Sequence, residues 1–168
     1  MRLGPLLALV LLPACDPVFE PRPAVEVVRL DEGAFVDLLG GDGTTPLVVN
    51  LFATWCSACR GELPVLDRFA RERTGVRFAA VSLDEAGTTR AVQDYASSLG
   101  LSLPVYHLAV ADPVGVVGRH LDAFHGAIPI TVVLGEGGRV RAVHPGRADR
   151  ADLESLLDEA RGGVAAPP

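Results

Sequence analysis

A chain of 168 residues has room for one domain behind a short leader and can bury a substantial core. Its 49% hydrophobic and 21% charged content excludes a disordered chain, and a net charge of −6 argues against a nucleic-acid partner, which would need a basic face. The three cysteines are too few for a disulfide-stapled scaffold and divide into a lone Cys15 and a pair, Cys56 and Cys59.

Taken in chain order, Met1-Arg2 followed by an apolar run over 3–14 has the layout of a secretory signal peptide. That run is short of the roughly 20 residues that a membrane-spanning helix needs. Leu12-Pro13-Ala14-Cys15 resembles the lipobox of bacterial lipoproteins, with Pro13 as its unusual residue. The resemblance implies cleavage after 14 and a diacylglyceryl group on Cys15, which would tether the protein to a membrane. The alternative is plain signal cleavage. Residues 15–24 carry Pro17, Pro21 and Pro23 and read as a semi-rigid spacer.

The domain is expected over 25–161, with 162–168 a flexible tail. A β-branched run predicts a strand over 25–30, then a short helix over 33–39 and a glycine-rich loop over 40–43. The nearly unbroken apolar run 47–53 predicts a strand buried on both faces. A helix follows from about 56 to 73, with Pro64 inside it as a point of kinking. A second buried strand covers 76–83, completing a strand–helix–strand unit of a parallel sheet. Thr88 is the expected cap of a helix to Leu99 whose Ala91, Val92, Tyr95 and Ala96 share a face. A short strand is expected over 103–107. Asp112-Pro113 opens a helix through Phe124. Strands over 130–134 and 139–143 flank a four-residue hairpin turn, Gly135 to Gly138. Asp149 caps a last helix that buries Leu153, Leu156 and Leu157. The order is mixed α/β and compatible with several folds, a thioredoxin-like one among them.

Cys56 and Cys59 sit at i and i+3 where a strand ends and a helix begins, so both sulfurs lie on one side of the first turn. The helix N-terminus favours an anion there. Cys56 is therefore the expected nucleophile and Cys59 the resolving thiol. Half a zinc site is the alternative, but zinc usually takes four ligands. No second cysteine pair exists, and the histidines at 107, 120, 125 and 144 have no metal-ligand rhythm. His120 and His125 read as surface residues. Far along the chain, Ile128-Pro129-Ile130-Thr131 leads into the hairpin, and local sequence alone favours a trans Pro129.

Leu47 to Pro64 (LVVNLFATWCSACRGELP), Val81 to Asp84, and Gly126 to Leu134 with Gly138-Arg139-Val140 together resemble the membrane-anchored TlpA/ResA-like thioredoxins. The resemblance implies a thioredoxin-like fold, with a central mixed β-sheet flanked by helices. It implies a cis Pro129 facing the cysteine pair, with the backbone of Ile128 pairing with a substrate chain and Trp55 shielding the disulfide. Asn50 stands where ordinary thioredoxin has a buried aspartate, and an amide cannot ionise. Glu62 matches a glutamate that tunes the pair or handles its proton; otherwise it is a solvated helix residue. The implied activity is extracytoplasmic thiol–disulfide exchange in the bacterial cell envelope. Exported thiol proteins such as apocytochrome c would be reduced, a membrane redox partner would restore the pair, and no cofactor is required. A copper-binding chaperone is the rival reading, although chaperones of this fold generally use a CxxxC spacing and a placed histidine.

Overall fold

The structure is a computed structural model and describes residues 24–162. Cys15, the expected leader and the spacer as far as residue 23 lie outside the described residues, as does the tail from 163. Among the described residues no helix is long and apolar enough to cross a membrane.

The elements run β1 (Val27–Leu30), α1 (Glu32–Gly40), β2 (Leu47–Phe52), α2 (Ser57–Arg71), β3 (Arg77–Ser82), α3 (Thr89–Leu99), β4 (Val105–Leu108), α4 (Pro113–His120), β5 (Ile130–Leu134), β6 (Val140–Pro145) and α5 (Arg150–Gly162). They build one six-stranded sheet in the order β1-β4-β3-β2-β5-β6. β2 lies parallel to β3 and antiparallel to β5, with Asn50 opposite Ala80 on one side and Thr131 on the other. All six β2 residues are buried, as their apolar run requires.

Alternation along β2 divides the core. Val48 and Phe52 face Leu63, Leu66 and Phe69 of α2, Tyr95 of α3 and Leu153 of α5. Val49 and Leu51 face Phe35 and Leu39 of α1 and Val116 and Val117 of α4. Helices thus cover both faces, and period-2 geometry puts Asn50 on the α2 face with Val48 and Phe52. Burying these aliphatic side chains is worth about 1.5–3 kcal/mol each relative to exposure.

Local chemistry fixes the helix ends. Asp31 Oδ1 accepts from Ala34 N (2.8 Å), and Asp112 Oδ1 accepts from Gly115 N (2.8 Å) ahead of Pro113. Asp149 and Asp152 accept from each other's backbone N–H at 2.8 and 3.0 Å, a reciprocal cap at the start of α5. Gly138, at φ 73°, closes the hairpin turn, and a Cβ there would sit 3.0 Å from the Leu39 carbonyl oxygen.

Several local features differ from the sequence reading. Thr88 does not cap α3 with its side chain; at φ −102°, ψ 17° its hydroxyl donates back to Glu85 O instead, at 2.7 Å. α4 stops at His120 rather than continuing to Phe124, because Leu121 turns to φ −138°, ψ 89° and both Leu121 and Phe124 fold into the core. The strand expected from 103 begins at Val105, since the Leu103 N–H is taken by Asp67 Oδ1 (2.8 Å). β6 runs on to Pro145. α2 is one helix through Pro64.

Candidate active site

β2 delivers the chain to a tight turn in which Cys56 N donates to Ala53 O at 3.1 Å. Cys56 is then the N-cap of α2, in extended backbone, with its Sγ accepting from Cys59 N at 3.2 Å. Cys56 and Cys59 form a disulfide, S–S 2.10 Å and Cα–Cα 5.3 Å. Cys59 is fully buried, and Cys56 keeps 8% of its surface. An incoming sulfur therefore meets Cys56 first. Released as a thiolate, Cys56 Sγ would keep the Cys59 N–H and the partial positive charge of the helix terminus. The first turn of α2 holds no acidic residue to oppose that charge.

The Ile128–Pro129 peptide bond is cis. Local sequence favours trans, so here the resemblance was the better guide. Ile128 packs partly buried against the cluster containing both cysteines, and Pro129 O accepts from Gly146 N at 2.9 Å, joining the segment to β6. Trp55, next in sequence to Cys56, stands mostly in solvent, with 73% of its surface exposed.

Glu62 lies one turn beyond Cys59 and is fully buried, so it is not a solvated helix residue. Its Oε1 accepts from the Thr131 hydroxyl (3.1 Å) and from Ala148 N (3.2 Å). Thr131 Oγ1 in turn accepts from Asn50 Nδ2 at 3.0 Å, so β2, β5 and the loop before α5 hold one carboxyl. Burial pushes the Glu62 carboxyl above the ordinary glutamate range, opposed by the hydrogen bonds from Ala148, Thr131 and Asn50 and by nearby His144. Among the described residues, Glu62 Oε2 and Asn50 Oδ1 find no hydrogen-bond partner, so charging Glu62 costs more here than it would in water.

A second polar cluster was not anticipated as a unit. Asp84, just after β3, is 5% exposed and its carboxylate accepts from Thr54 N, Thr54 Oγ1 and Ser82 Oγ at 2.9, 2.6 and 2.6 Å. His107 of β4 is fully buried beside it. Nearby, Tyr95 stacks on Phe52 with centroids 6.1 Å apart and carries the Arg60 guanidinium at 4.9 Å. An aspartate following a buried strand was the only signal for this cluster, and its partners come from three other segments. Among the described residues no group of three or more His, Cys, Asp or Glu side chains gathers as metal ligands.

A CxxC disulfide at a helix start, a cis proline on the neighbouring strand and this mixed sheet define the thioredoxin-like class of thiol–disulfide oxidoreductases. The chain belongs to the redoxin family, whose profile matches residues 22–157. It is 31% identical over 151 residues to the thiol:disulfide interchange protein DsbE of Yersinia pestis, covering 86% of this chain and 75% of that one. It is 31% identical over 116 residues to the thiol-disulfide oxidoreductase ResA of Oceanobacillus iheyensis, covering 67% of this chain and 56% of that one. The match to the thioredoxin-like protein YneN of Bacillus subtilis, 25% identical, covers 67% of this chain and 63% of the relative, so the chain spans little more than half the length of some relatives. Among solved structures, a thio-disulfide isomerase from Thermus thermophilus is 32% identical with a TM-score of 0.54, covering 68% of this chain and 78% of that one.

Proposed function

We propose that the protein is an extracytoplasmic thiol–disulfide oxidoreductase that reduces exported thiol proteins, apocytochrome c being one candidate. In this reading it is held at the membrane of the bacterial cell envelope by a lipid on Cys15 and re-reduced by a membrane redox partner. The observation that carries the activity is the Cys56–Cys59 disulfide, with one sulfur buried and the other at the helix start where a thiolate is favoured.

The reaction follows from that asymmetry. In the reduced protein the Cys56 thiolate attacks one sulfur of a substrate disulfide; that bond breaks, and the other substrate sulfur leaves as a thiolate. Cys56 is now joined to the substrate. The Glu62 carboxylate takes the proton from Cys59 Sγ, and the Cys59 thiolate attacks Cys56 Sγ. The second substrate thiolate leaves, and the protein keeps the disulfide. Two electrons have passed to the substrate, and the thiolates collect protons from Glu62 and water. Trp55, Ile128 and Pro129 line the approach to Cys56. Exposed Trp55 offers an aromatic contact, and the Ile128 backbone offers hydrogen bonds to an extended substrate segment.

Turnover with a model disulfide substrate tests this. Cys56→Ser is expected to abolish it, and Cys59→Ser to accumulate a mixed disulfide visible by mass on a non-reducing gel. Full activity in Cys56→Ser would overturn the proposal. Equilibration against glutathione then fixes the direction: a low potential fits a reductant, whereas a high one fits an oxidant or isomerase.

A further inference from the structure

We propose that Asp84 is a positioning residue for the redox pair: its buried carboxylate ties down the turn that delivers Cys56 and keeps a negative charge beside it. The proposal rests on the pair exchanging disulfides as described above.

The turn runs from Ala53 to Cys56, closed by Cys56 N donating to Ala53 O at 3.1 Å. Thr54 is its second residue. Asp84 takes both donors of Thr54, the backbone N–H on Oδ2 (2.9 Å) and the hydroxyl on Oδ1 (2.6 Å). Ser82 Oγ donates to Oδ2 at 2.6 Å and accepts from Asp84 N at 3.2 Å, which sets the rotamer of the carboxylate. Three donors converging on two oxygens suit an acceptor-only group.

The backbone of Asp84 is anchored independently. His107 Nε2 donates to Asp84 O at 3.1 Å. A carbonyl oxygen can only accept, so Nε2 carries the hydrogen of that bond. His107 Nδ1 lies 2.8 Å from the Thr89 hydroxyl, which completes the second hydrogen bond of the ring. His107 lies opposite Ser82 in the sheet and Thr89 opens α3, so β3, β4 and α3 all converge on this one residue. Neither His107 nor Asp84 takes part in the exchange steps, yet both are buried, which makes the cluster costly unless it does something for the turn.

The carboxylate also acts through its field. The helix terminus favours a thiolate at Cys56; a negative charge bonded to Thr54, two residues before Cys56, opposes it and favours the disulfide. That field reaches Tyr95, whose phenol is held above its ordinary range by burial and also by Asp84, against the pull of Arg60. The other titratable groups on the elements packed about the pair and Asp84 are Glu62 and Arg60 on α2, His107 on β4 and Tyr95 on α3.

The test is the equilibrium in which the protein disulfide and two glutathione thiols give the protein dithiol and glutathione disulfide. Asp84→Asn is expected to shift it toward the dithiol roughly tenfold, and to speed iodoacetamide alkylation of Cys56 at one fixed neutral pH by a similar factor. Should that variant not fold, Asp84→Ser carries the same expectation. Thr54→Val loses the hydroxyl contact but keeps the carboxylate, so it should lower Tm while moving the equilibrium less than Asp84→Asn does. An Asp84→Asn protein with lowered Tm and an unchanged equilibrium would reduce Asp84 to a structural brace and overturn the proposal. A Thr54→Val shift as large as that of Asp84→Asn would overturn it too. A wild-type pair that never exchanges with glutathione would instead remove the function on which the proposal stands.

Discussion

At the scale of the residue, Glu62 carries the clearest titration consequence. Its carboxyl is fully buried and one oxygen lacks a partner among the described residues, so burial raises its affinity for a proton above that of an ordinary glutamate. The folded protein therefore binds this proton more tightly than the unfolded chain does. Stability must fall as pH rises from the ordinary glutamate value through the raised one, and the loss is complete above it. Glu62→Gln keeps the shape without the charge. It should flatten that part of the stability–pH curve, measured by thermal melts across pH. The same substitution removes the group proposed to take the Cys59 proton. It should slow resolution of the mixed disulfide on the order of 10²-fold near neutrality, read in single-turnover kinetics. If resolution kept its wild-type rate and pH profile, Glu62 would be a structural residue only. The sequence suggested Glu62 through its spacing from Cys59, but not its burial. Burial depends on Thr131 and Ala148, which lie 69 and 86 positions away.

At the scale of the element, α2 presents the cysteine pair from one end and is fastened along its length. Leu63, Leu66 and Phe69 bury its inner face. Asp67, 2% exposed, accepts from Ser102 N, Ser102 Oγ and Leu103 N at 2.7, 3.0 and 2.8 Å and pairs with Arg71 at 2.9 Å. Asp67→Ala strands the buried Leu103 N–H and is expected to cost about 1–3 kcal/mol in chemical denaturation. It should leave the glutathione equilibrium unchanged, because this contact lies toward the opposite end of the helix from the cysteines. Regular periodicity made most elements legible: the apolar run of β2, the hairpin glycines, and the Asp112-Pro113 and Asp149 caps. Where tertiary contacts outbid local preference, the reading slipped. α4 ends early because Leu121 and Phe124 gain more by entering the core than by prolonging a surface helix. The Leu103 N–H leaves the ladder for Asp67. The Asp84 cluster was legible only as an aspartate after a buried strand, since Thr54, Ser82, Thr89 and His107 mean nothing together until the sheet assembles them.

At the scale of the whole molecule, the sheet order places the site beside the switch from parallel to antiparallel pairing at β2. There β3 contributes Asp84 through the loop that follows it, and β5 contributes Thr131, with Pro129 immediately before its first residue. The architecture was recoverable from motifs because LVVNLFATWCSAC and IPITVVL fall on these two neighbouring central strands. The isomer of Pro129 was not recoverable from local sequence. The proposed tether belongs to this scale as well. Changing Cys15→Ser in the full chain, expressed in a bacterial host, should move the protein from the membrane fraction to the soluble envelope fraction on immunoblots without altering exchange by the purified protein. Undiminished membrane association would rule out lipid at Cys15 as the anchor.

Trp55 is the only tryptophan in the chain, stands mostly in solvent and is the chain neighbour of Cys56. A disulfide quenches the excited state of an adjacent indole by accepting an electron, and a thiol does so much less. Unlabelled emission is therefore expected to brighten as the pair is reduced and to dim as it is oxidised, which a fluorescence-monitored titration with a dithiol would read. The chain's one indole makes that signal free of interference from elsewhere in the fold.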